Sequence, residues 1–250
     1  MQHFFVAAEQ RDGNVIWITG PDVNHIKNVL RMKQGDRLVV SDGEDQDYYC
    51  VITEITAEHV TVSVEEAAEA AELPARLYLF QGLPKSDKME RIIQKAVELG
   101  AHQIIPVAMK RSVVKLDEKK QKSRIARWNG IAVSAAKQSG RGMIPVVTGV
   151  MTMDEVLKAA EKLDMLLVPY ENASGMEATR EALALVKAGM DIGILIGPEG
   201  GFDPEEIERL QKAGARTVSL GRRILRTETA GLSALTLCMY QLELQTEVED

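Results

Sequence analysis

Two short stretches of the chain combine glycines with charged side chains. The first, Gly197-Pro198-Glu199-Gly200-Gly201-Phe202, follows an apolar run ending at Ile196 and leads into Asp203-Pro204-Glu205-Glu206. Asp203 suits a helix N-cap and Pro204 the first helical position, and the glutamates complement the positive helix end. A helix start already supplied with carboxylates disfavours phosphate, so a dinucleotide or P-loop site is not indicated. An uncharged or cationic ligand fits better, unless the glycines only form a tight turn.

The second stretch carries three arginines directly before a helix start. It reads Gly221-Arg222-Arg223-Ile224-Leu225-Arg226-Thr227-Glu228-Thr229-Ala230-Gly231, with Thr227 as the expected N-cap. Cations suit the other end of a helix, so the arginines are not explained by the helix dipole. The planar fork of arginine matches phosphates and base edges, which makes Arg226 and Arg223 candidate substrate contacts. The alternative is structural salt bridges to the glutamates of the two stretches.

A third feature is the distribution of charge. The net charge is -7, but residues 1–72 have 5 Lys/Arg and 14 Asp/Glu, a balance of -9. Residues 110–141 hold ten basic residues against Asp117 and Glu118. Such a run is either a solvated helix face or a surface that contacts phosphates, and the second reading requires other evidence for a nucleic acid.

Composition predicts an ordinary globular protein. Of the 250 residues, 45% are hydrophobic and 27% are charged. No apolar run approaches the roughly 18 residues of a membrane span or forms a signal-peptide core, so we expect a cytoplasmic protein without a membrane partner. Cys50 and Cys238 are expected to be buried and reduced. The four histidines show no metal-binding spacing and no close His/Asp cluster, so no metal is expected.

The elements that position these stretches fall into two parts. Residues 14–19, 37–41, 48–55 and 59–64 read as strands separated by turn signals, with a helix over residues 22–31. This pattern predicts a small β domain, expected to be a barrel. Residues 65–72 read as a charged linker, which puts the domain boundary between residues 72 and 73.

The second part alternates strands with helices. The expected strands are residues 76–81, 103–107, 145–148, 165–169, 191–196 and 217–220. The expected helices are residues 88–99, 121–138, 152–162, 176–188, 204–213 and 227–244. The alternation predicts an α/β domain whose mostly parallel sheet is covered by helices on both faces. Ligands of such sheets bind beyond the carboxyl ends of the strands, where both glycine-containing stretches lie.

The two stretches together resemble the paired cofactor loops of the RsmE family (ribosomal RNA small subunit methyltransferase E), within the SPOUT superfamily. The resemblance covers almost the whole chain. Shorter motifs extend it: Phe4-Phe5-Val6, His25 with Val29-Leu30-Arg31, Lys88-Met89-Glu90, Gln94 to Gly100, Lys110-Arg111-Ser112, Arg127-Trp128 and Gln138-Ser139-Gly140-Arg141. Two positions depart from the family pattern. Gln2 and His3 replace basic residues, which weakens an RNA contact from this end, and Ser134 replaces a common acidic residue.

The resemblance implies a PUA-like β-barrel for RNA recognition in residues 1–72, and a SPOUT methyltransferase domain with a C-terminal trefoil knot in residues 73–250. The implied reaction is transfer of a methyl group from S-adenosyl-L-methionine to N3 of a uridine in 16S ribosomal RNA, within the small ribosomal subunit. This cofactor is a sulfonium cation with a neutral purine, which agrees with the carboxylate-rich first stretch. A homodimer is also implied. The last helix supports it, because Leu232, Leu235, Met239 and Leu242 form one apolar stripe, and Ala230, Ala234, Leu237 and Leu244 a second.

Site residues follow from the same match. The implied cofactor-binding residues are Ile196, Gly197, Pro198, Glu199, Gly200, Gly201, Leu220, Gly221, Ile224 and Leu225. The implied catalytic residues are Arg226, which would stabilise the uracil anion, and Glu199 or Glu228 as an orienting partner or proton acceptor. The expected RNA-binding residues are Arg31, Lys110, Arg111, Lys119, Lys120, Lys122, Arg124, Arg127, Arg141 and Arg223.

Three other functions are open to such a chain. A knotted enzyme that methylates a ribose 2'-hydroxyl differs in its product. A non-catalytic ribosome-assembly factor of the same fold would lack cofactor binding. A dinucleotide-dependent oxidoreductase is disfavoured, because the glycine-rich loop follows the fifth expected strand of the second domain instead of the first.

Overall fold

The computed structural model describes residues 1–43, 46–69, 71–173 and 175–246. The chain divides into two compact units. Unit 1 comprises residues 1–72 together with 136–144, and unit 2 comprises residues 73–135 and 145–250.

Unit 1 is built on one six-stranded sheet. Its strands are β1 (His3–Phe5), β2 (Arg11–Asp12), β3 (Val15–Thr19), β4 (Arg37–Ser41), β5 (Gln46–Ile55) and β6 (His59–Glu69), paired in the order β1-β4-β5-β6-β3-β2. Strand β1 pairs with β4 in parallel, and the other pairs are antiparallel. Helix α1 (Pro21–Asn24) continues as a π-helical turn over His25–Val29. Alternate residues such as Ile16, Ile18 and Leu38 are buried in one apolar core, as expected for strands with one covered face.

The expected linker at residues 65–72 is wrong for its first five residues. Strand β6 runs to Glu69, because its backbone pairs with β5 along its length up to Gln46. Ala70 lies outside the described residues. The strand expected at residues 37–41 is confirmed, whereas β1 and β2 were not anticipated, since strands of two or three residues leave too short a pattern.

The fold of unit 1 also forms a buried polar cluster that sequence spacing did not reveal. Ser41 hydrogen-bonds both His3 and Asp47, and Nε2 of His3 lies 3.7 Å from Oδ1 of Asp47. The three residues meet because β4 pairs with both β1 and β5. Burial lowers the pKa of His3, which favours its neutral form. Because His3 is far from Ser41 and Asp47 in the chain, the cluster left no signal in the spacing of the residues.

Unit 2 is an α/β structure with an entirely parallel sheet. Its strands are β7 (Arg76–Gly82), β8 (Ala101–Ala108), β9 (Val146–Val147), β10 (Met151–Thr152), β11 (Met165–Pro169), β12 (Asp191–Ile196) and β13 (Arg216–Val218). The order is β10-β8-β7-β12-β11-β13, with β9 also on β8. The helices are α2 (Lys88–Glu98), α3 (Glu118–Ser139), α4 (Met153–Ala160), α5 (Glu177–Ala184), α6 (Pro204–Lys212) and α7 (Thr227–Thr246). The end of α3, from Ala136, belongs to unit 1.

Helices cover both faces of this sheet, as predicted. Leu79 and Gln81 of β7 lie close to Gly231 of α7. Phe80, which points to the opposite face, belongs to a buried cluster with residues of α4 and α6. All six predicted helices and all six predicted strands are present, β11 and β12 with the predicted ends and the others with one or both ends shifted. Strand β10 was not anticipated. Cys50 and Cys238 are buried and free, as expected. Among the described residues, no helix is long and apolar enough to cross a membrane.

Candidate functional site

A cavity of about 450 Å³ opens at the carboxyl edge of the parallel sheet in unit 2. The segments that follow β11, β12 and β13 form most of its wall, together with Lys88 at the start of α2. Its lining residues are Lys88, Pro169, Tyr170, Glu171, Ile196, Gly197, Pro198, Glu199, Gly201, Phe202, Ser219, Leu220, Gly221, Arg222, Arg223, Ile224, Leu225, Arg226, Thr227 and Ala230. Cavities of roughly 300–1,000 Å³ hold small-molecule ligands.

The first loop, residues 197–203, is fixed by close backbone packing and by a capped helix. A Cβ atom on Gly82, the last residue of β7, would lie 2.6 Å from the backbone nitrogen of Pro198. Only glycine at that position therefore lets the loop approach β7. The side chain of Asp203 accepts from the backbone N–H of Glu205, and Glu206 accepts from that of Asp203, which confirms the predicted N-cap.

Lys110 and Arg111, at the start of the basic run over residues 110–141, hold this loop. Nζ of Lys110 lies 3.1 Å from Asp203 and 3.0 Å from Glu205, and its backbone N–H donates to Glu206. Arg111 donates to the backbone oxygen of Gly200 at 3.2 Å. Both were expected to contact RNA. In the structure their charges face the carboxylates and carbonyl of the first loop.

The second loop, residues 219–226, is joined to the first by a buried hydroxyl. Thr227 donates to the backbone oxygen of Gly197 at 2.6 Å and accepts from the amide of Gln81 at 2.8 Å. Helix α7 begins at Thr227, and the carbonyl of Arg226 accepts from Ala230. Thr227 is therefore the first helical residue and not the N-cap that its sequence position predicted. Its hydroxyl links β7, the first loop and α7.

An ammonium group lies between the two predicted glutamates. Nζ of Lys88 is 3.2 Å from Oε1 of Glu199 and 3.1 Å from Oε2 of Glu228. Burial opposes ionisation of Glu199, but the backbone N–H groups of Glu199 and Lys85, and then Lys88, outweigh it and lower its pKa. Burial likewise opposes ionisation of Glu228, whose pKa is lowered by its own backbone N–H, by Lys88 and by Arg226. The hydrogen bond to Glu228, followed by that to Glu199, raises the pKa of Lys88.

The arginines of the second loop form an exposed rim around the cavity. Arg222, Arg223 and Arg226 all line it and are exposed. Ile224 lies between them with 85% of its surface exposed. The rim can therefore meet an anionic or aromatic ligand that approaches from solvent.

The structure brings together most of the predicted cofactor residues. Nine of the ten line the cavity, the exception being Gly200, where an added Cβ would lie 3.1 Å from Arg111. Of the expected catalytic residues, Arg226 and Glu199 line the cavity. Glu228 is linked to it through Lys88.

The expected RNA-binding residues are spread over several environments. Lys119, Lys120, Lys122, Arg124 and Arg127 are exposed on α3, although Lys120 pairs with Asp117 and Arg127 with Glu90. Arg31 is exposed in unit 1, with a positive φ of 55°. Arg141 is buried, and its Nε lies 3.1 Å from each carboxylate oxygen of Glu72. That guanidinium is turned toward a protein carboxylate and not toward solvent.

The residues of the site that sequence reasoning missed include Gln81, Lys88 and Tyr170. Gln81 is a buried amide at the second-last position of β7, and a polar residue in an apolar run was the available signal. Lys88 stands at the first position of a helix, where a cation is unfavourable, and this mismatch could have marked it. Tyr170 directly follows β11 at the same edge of the sheet.

Comparison with known proteins gives consistent matches along the chain. Residues 71–239 match a family described as RNA methyltransferase domain, and residues 18–65 match one described as RNA methyltransferase PUA domain. The Bacillus subtilis protein named ribosomal RNA small subunit methyltransferase E is 40% identical over 251 residues, covering 98% of each chain.

Two similar solved structures contain a cofactor. A ribosomal RNA small subunit methyltransferase E from Neisseria gonorrhoeae, bound to S-adenosyl methionine, is 28% identical with a TM-score of 0.80, covering 99% of this chain and 98% of that one. A Legionella pneumophila methyltransferase solved with bound SAM is 30% identical with a TM-score of 0.81, covering 95% and 96% of the two chains.

Proposed function

Because the chain belongs to the ribosomal RNA small subunit methyltransferase E family, we propose that it transfers a methyl group from S-adenosylmethionine to N3 of a uridine in 16S ribosomal RNA. The observation that carries the proposal is the cavity between residues 196–202 and 219–227, at the carboxyl edge of a parallel sheet. Both loops match the family motifs on which the sequence resemblance rests.

The residues of the cavity fit this cofactor. Its wall contains apolar residues such as Ile196 and Leu225 for a purine, and backbone groups of both loops within reach of a ligand. The carboxylates of Glu171 and Glu199 favour the positive charges of an amino acid sulfonium compound. Helix α6 begins with Asp203, Glu205 and Glu206, which leaves its N-terminus unsuited to phosphate.

The bound cofactor would supply an electrophilic methyl group, and the protein would place the uracil to receive it. N3 of uracil carries a proton and pairs with adenine in a duplex, so the base must be exposed or flipped out. Arg226, at the rim, would stabilise the negative charge that develops on the uracil carbonyls. Because the pKa values of Glu199 and Glu228 are lowered, these carboxylates are weak bases and serve better to orient charged partners than to accept the proton.

RNA would be held by the arginine rim and by exposed cations of α3. Within the part of the chain that the structure describes, Lys119, Lys122 and Arg124 have no carboxylate partner, which leaves their charge available to phosphates. We assign RNA recognition also to residues 1–72 as a PUA-like barrel, and methyl transfer to residues 73–250 with a trefoil knot. The active form would be a cytoplasmic homodimer joined through α7.

The experiment that tests this function is nucleoside analysis of 16S RNA. Small subunits lacking the modification would be incubated with the protein and S-adenosylmethionine, digested, and analysed by mass spectrometry. We expect one 3-methyluridine. A methyl group on a ribose would instead support the knotted 2'-O-methyltransferase alternative, and cofactor binding without any product would support an assembly factor.

A further inference from the structure

Lys88 links the two loops of the cavity through their carboxylates. Its ammonium forms ion pairs with Glu199 of the first loop at 3.2 Å and with Glu228 in the first turn of α7 at 3.1 Å. The side chains of all three are about a quarter exposed, at 26%, 27% and 27%. Partial burial and two partners distinguish this group from an exposed surface pair, which contributes little to stability.

The backbone around Lys88 is held in a costly arrangement. Lys88 is the first residue of α2, where the helix dipole disfavours a cation. Ser86, two residues earlier, has a φ of 54°, a left-handed conformation unfavourable for a residue with a Cβ. The backbone N–H of Lys85, one residue before Ser86, donates to Oε1 of Glu199 at 3.0 Å. The turn at Ser86 and the start of α2 therefore place two groups, the N–H of Lys85 and the ammonium of Lys88, against the Glu199 carboxylate.

We propose that Lys88 is a positioning residue for the cofactor. By binding Glu199 and Glu228 at once, Lys88 holds the first loop and the start of α7 together. This proposal rests on the proposed function, because that function makes S-adenosylmethionine the ligand of the two loops. It goes beyond that function by assigning a role to a residue outside the two loops. The group formed by Lys88, Glu199 and Glu228 is called the Lys88 cluster below.

The electrostatic consequence of the Lys88 cluster follows from its composition. Two carboxylates face one ammonium, and Glu228 is also acted on by the charge of Arg226, two residues before it in the chain. With Lys88 present, both carboxylates remain ionised through the neutral range. Without it, two negative charges would adjoin one another, and one carboxylate would take up a proton as the pH falls. Repulsion between the loops would then be largest at high pH and relieved at low pH.

The test compares the wild-type protein with Lys88→Met, Lys88→Arg and the double variant Lys88→Met/Glu228→Gln. Affinity for S-adenosylmethionine is measured by calorimetry between about pH 5.5 and about pH 8, across the range where a raised glutamate pKa would titrate. We expect constant affinity for the wild type. Lys88→Met should bind about tenfold more weakly at the upper end and recover toward the lower end. Lys88→Arg should retain most of the affinity, and the double variant should lose the pH dependence.

A second readout does not depend on the cofactor. Carboxyl carbon NMR titrations of the ligand-free protein, with Glu199→Gln and Glu228→Gln for assignment, should show both pKa values rising in Lys88→Met. Should Lys88→Met fail to fold, Lys88→Gln replaces it in both measurements. Unchanged titrations, or a Lys88→Met affinity within about twofold of wild type at every pH, would overturn the proposal. If instead the wild-type protein binds no S-adenosylmethionine while the titrations shift as expected, the proposed function fails and the linking role of Lys88 stands.

Discussion

Arg226 is exposed at the rim of the cavity, and its backbone carbonyl begins helix α7. A group that stabilises charge only as the methyl group is transferred acts on the rate more than on binding. We therefore expect Arg226→Ala to lower the single-turnover methylation rate by about 10²–10³-fold, with little change in RNA affinity. Arg226→Lys should be intermediate, because it keeps the charge and loses the planar fork. A variant with reduced RNA affinity and an unchanged rate at saturation would contradict the assignment.

Thr227 gives a second prediction for a single side chain. Its hydroxyl is buried between Gln81 and the carbonyl of Gly197. Thr227→Val keeps the shape and removes both hydrogen bonds, so the free energy of unfolding should fall by about 1–3 kcal/mol and cofactor affinity should fall with it. Thr227→Ser, which keeps the hydroxyl, is the matched control. Denaturant unfolding measures the stability and calorimetry the cofactor affinity. If Thr227→Val equals Thr227→Ser in both measurements, the hydrogen bonds of the hydroxyl to Gln81 and Gly197 are dispensable.

The residues that sequence could identify are those whose types alone suggest chemistry. The two loops were predicted because glycines, carboxylates and arginines concentrate within a few positions of each other. Gln81 and Lys88 could not be placed in the same way, because their partners lie more than a hundred residues away: Gln81 bonds Thr227, and Lys88 bonds Glu199 and Glu228. Lys110 and Arg111 were assigned to RNA as part of the basic run, and a basic residue in the sequence does not reveal that a carboxylate lies nearby in the fold.

At the scale of elements, helix α3 carries the largest concentration of exposed basic residues. Lys119 and Lys122 are one turn apart and lie on the same face. If they and Arg124 contact phosphates, changing all three to Gln should lower the slope of RNA affinity against salt by about one unit per contact. Cofactor affinity should stay the same. Lys158→Gln with Lys162→Gln removes charge from a different part of unit 2, and an equal loss of slope in that control would favour a nonspecific charge effect.

The elements themselves were largely predictable where the pattern is long. Strands β4, β11 and β12 begin and end where the sequence predicted, because each is an apolar run bounded by turn signals. Strand β6 was cut short at Val64, since alanine and glutamate are poor strand formers. Pairing with β5 overrides that preference. Tertiary contacts of this kind leave no periodicity in the sequence.

At the scale of the whole molecule, the chain order does not follow the compact units. Residues 136–144 join unit 1 although unit 2 contains the chain on both sides of them. Within unit 1, Lys137 bonds Asp22 at 2.8 Å, and Arg141 bonds Glu72. A single domain boundary at residue 72 leaves out this later segment of unit 1. The change in sequence pattern at residue 72 marks where the second part begins, but no similar change marks residues 136–144.

The proposed homodimer depends on the apolar surface of α7. One side of this helix is filled by its own unit, where Leu235, Cys238 and Leu242 are buried. On the other side Tyr240 is 60% exposed and Leu244 is 40% exposed. A second subunit would cover this surface and remove apolar area from water, which is the dominant favourable term in association.

Placing a carboxylate on that surface should therefore dissociate the dimer. Leu244→Glu, or Leu237→Glu about two turns earlier, would bury an unpaired charge in the interface, which is costly enough to shift the protein to monomers. Val146→Glu is the matched control, because Val146 is 53% exposed on β9 and lies outside α7. Light scattering at micromolar concentration distinguishes the states. A wild-type monomer at that concentration would contradict the proposed dimer. A dimer that survives both α7 substitutions would mean that α7 does not form the interface, because an unpaired charge buried in the interface would dissociate it.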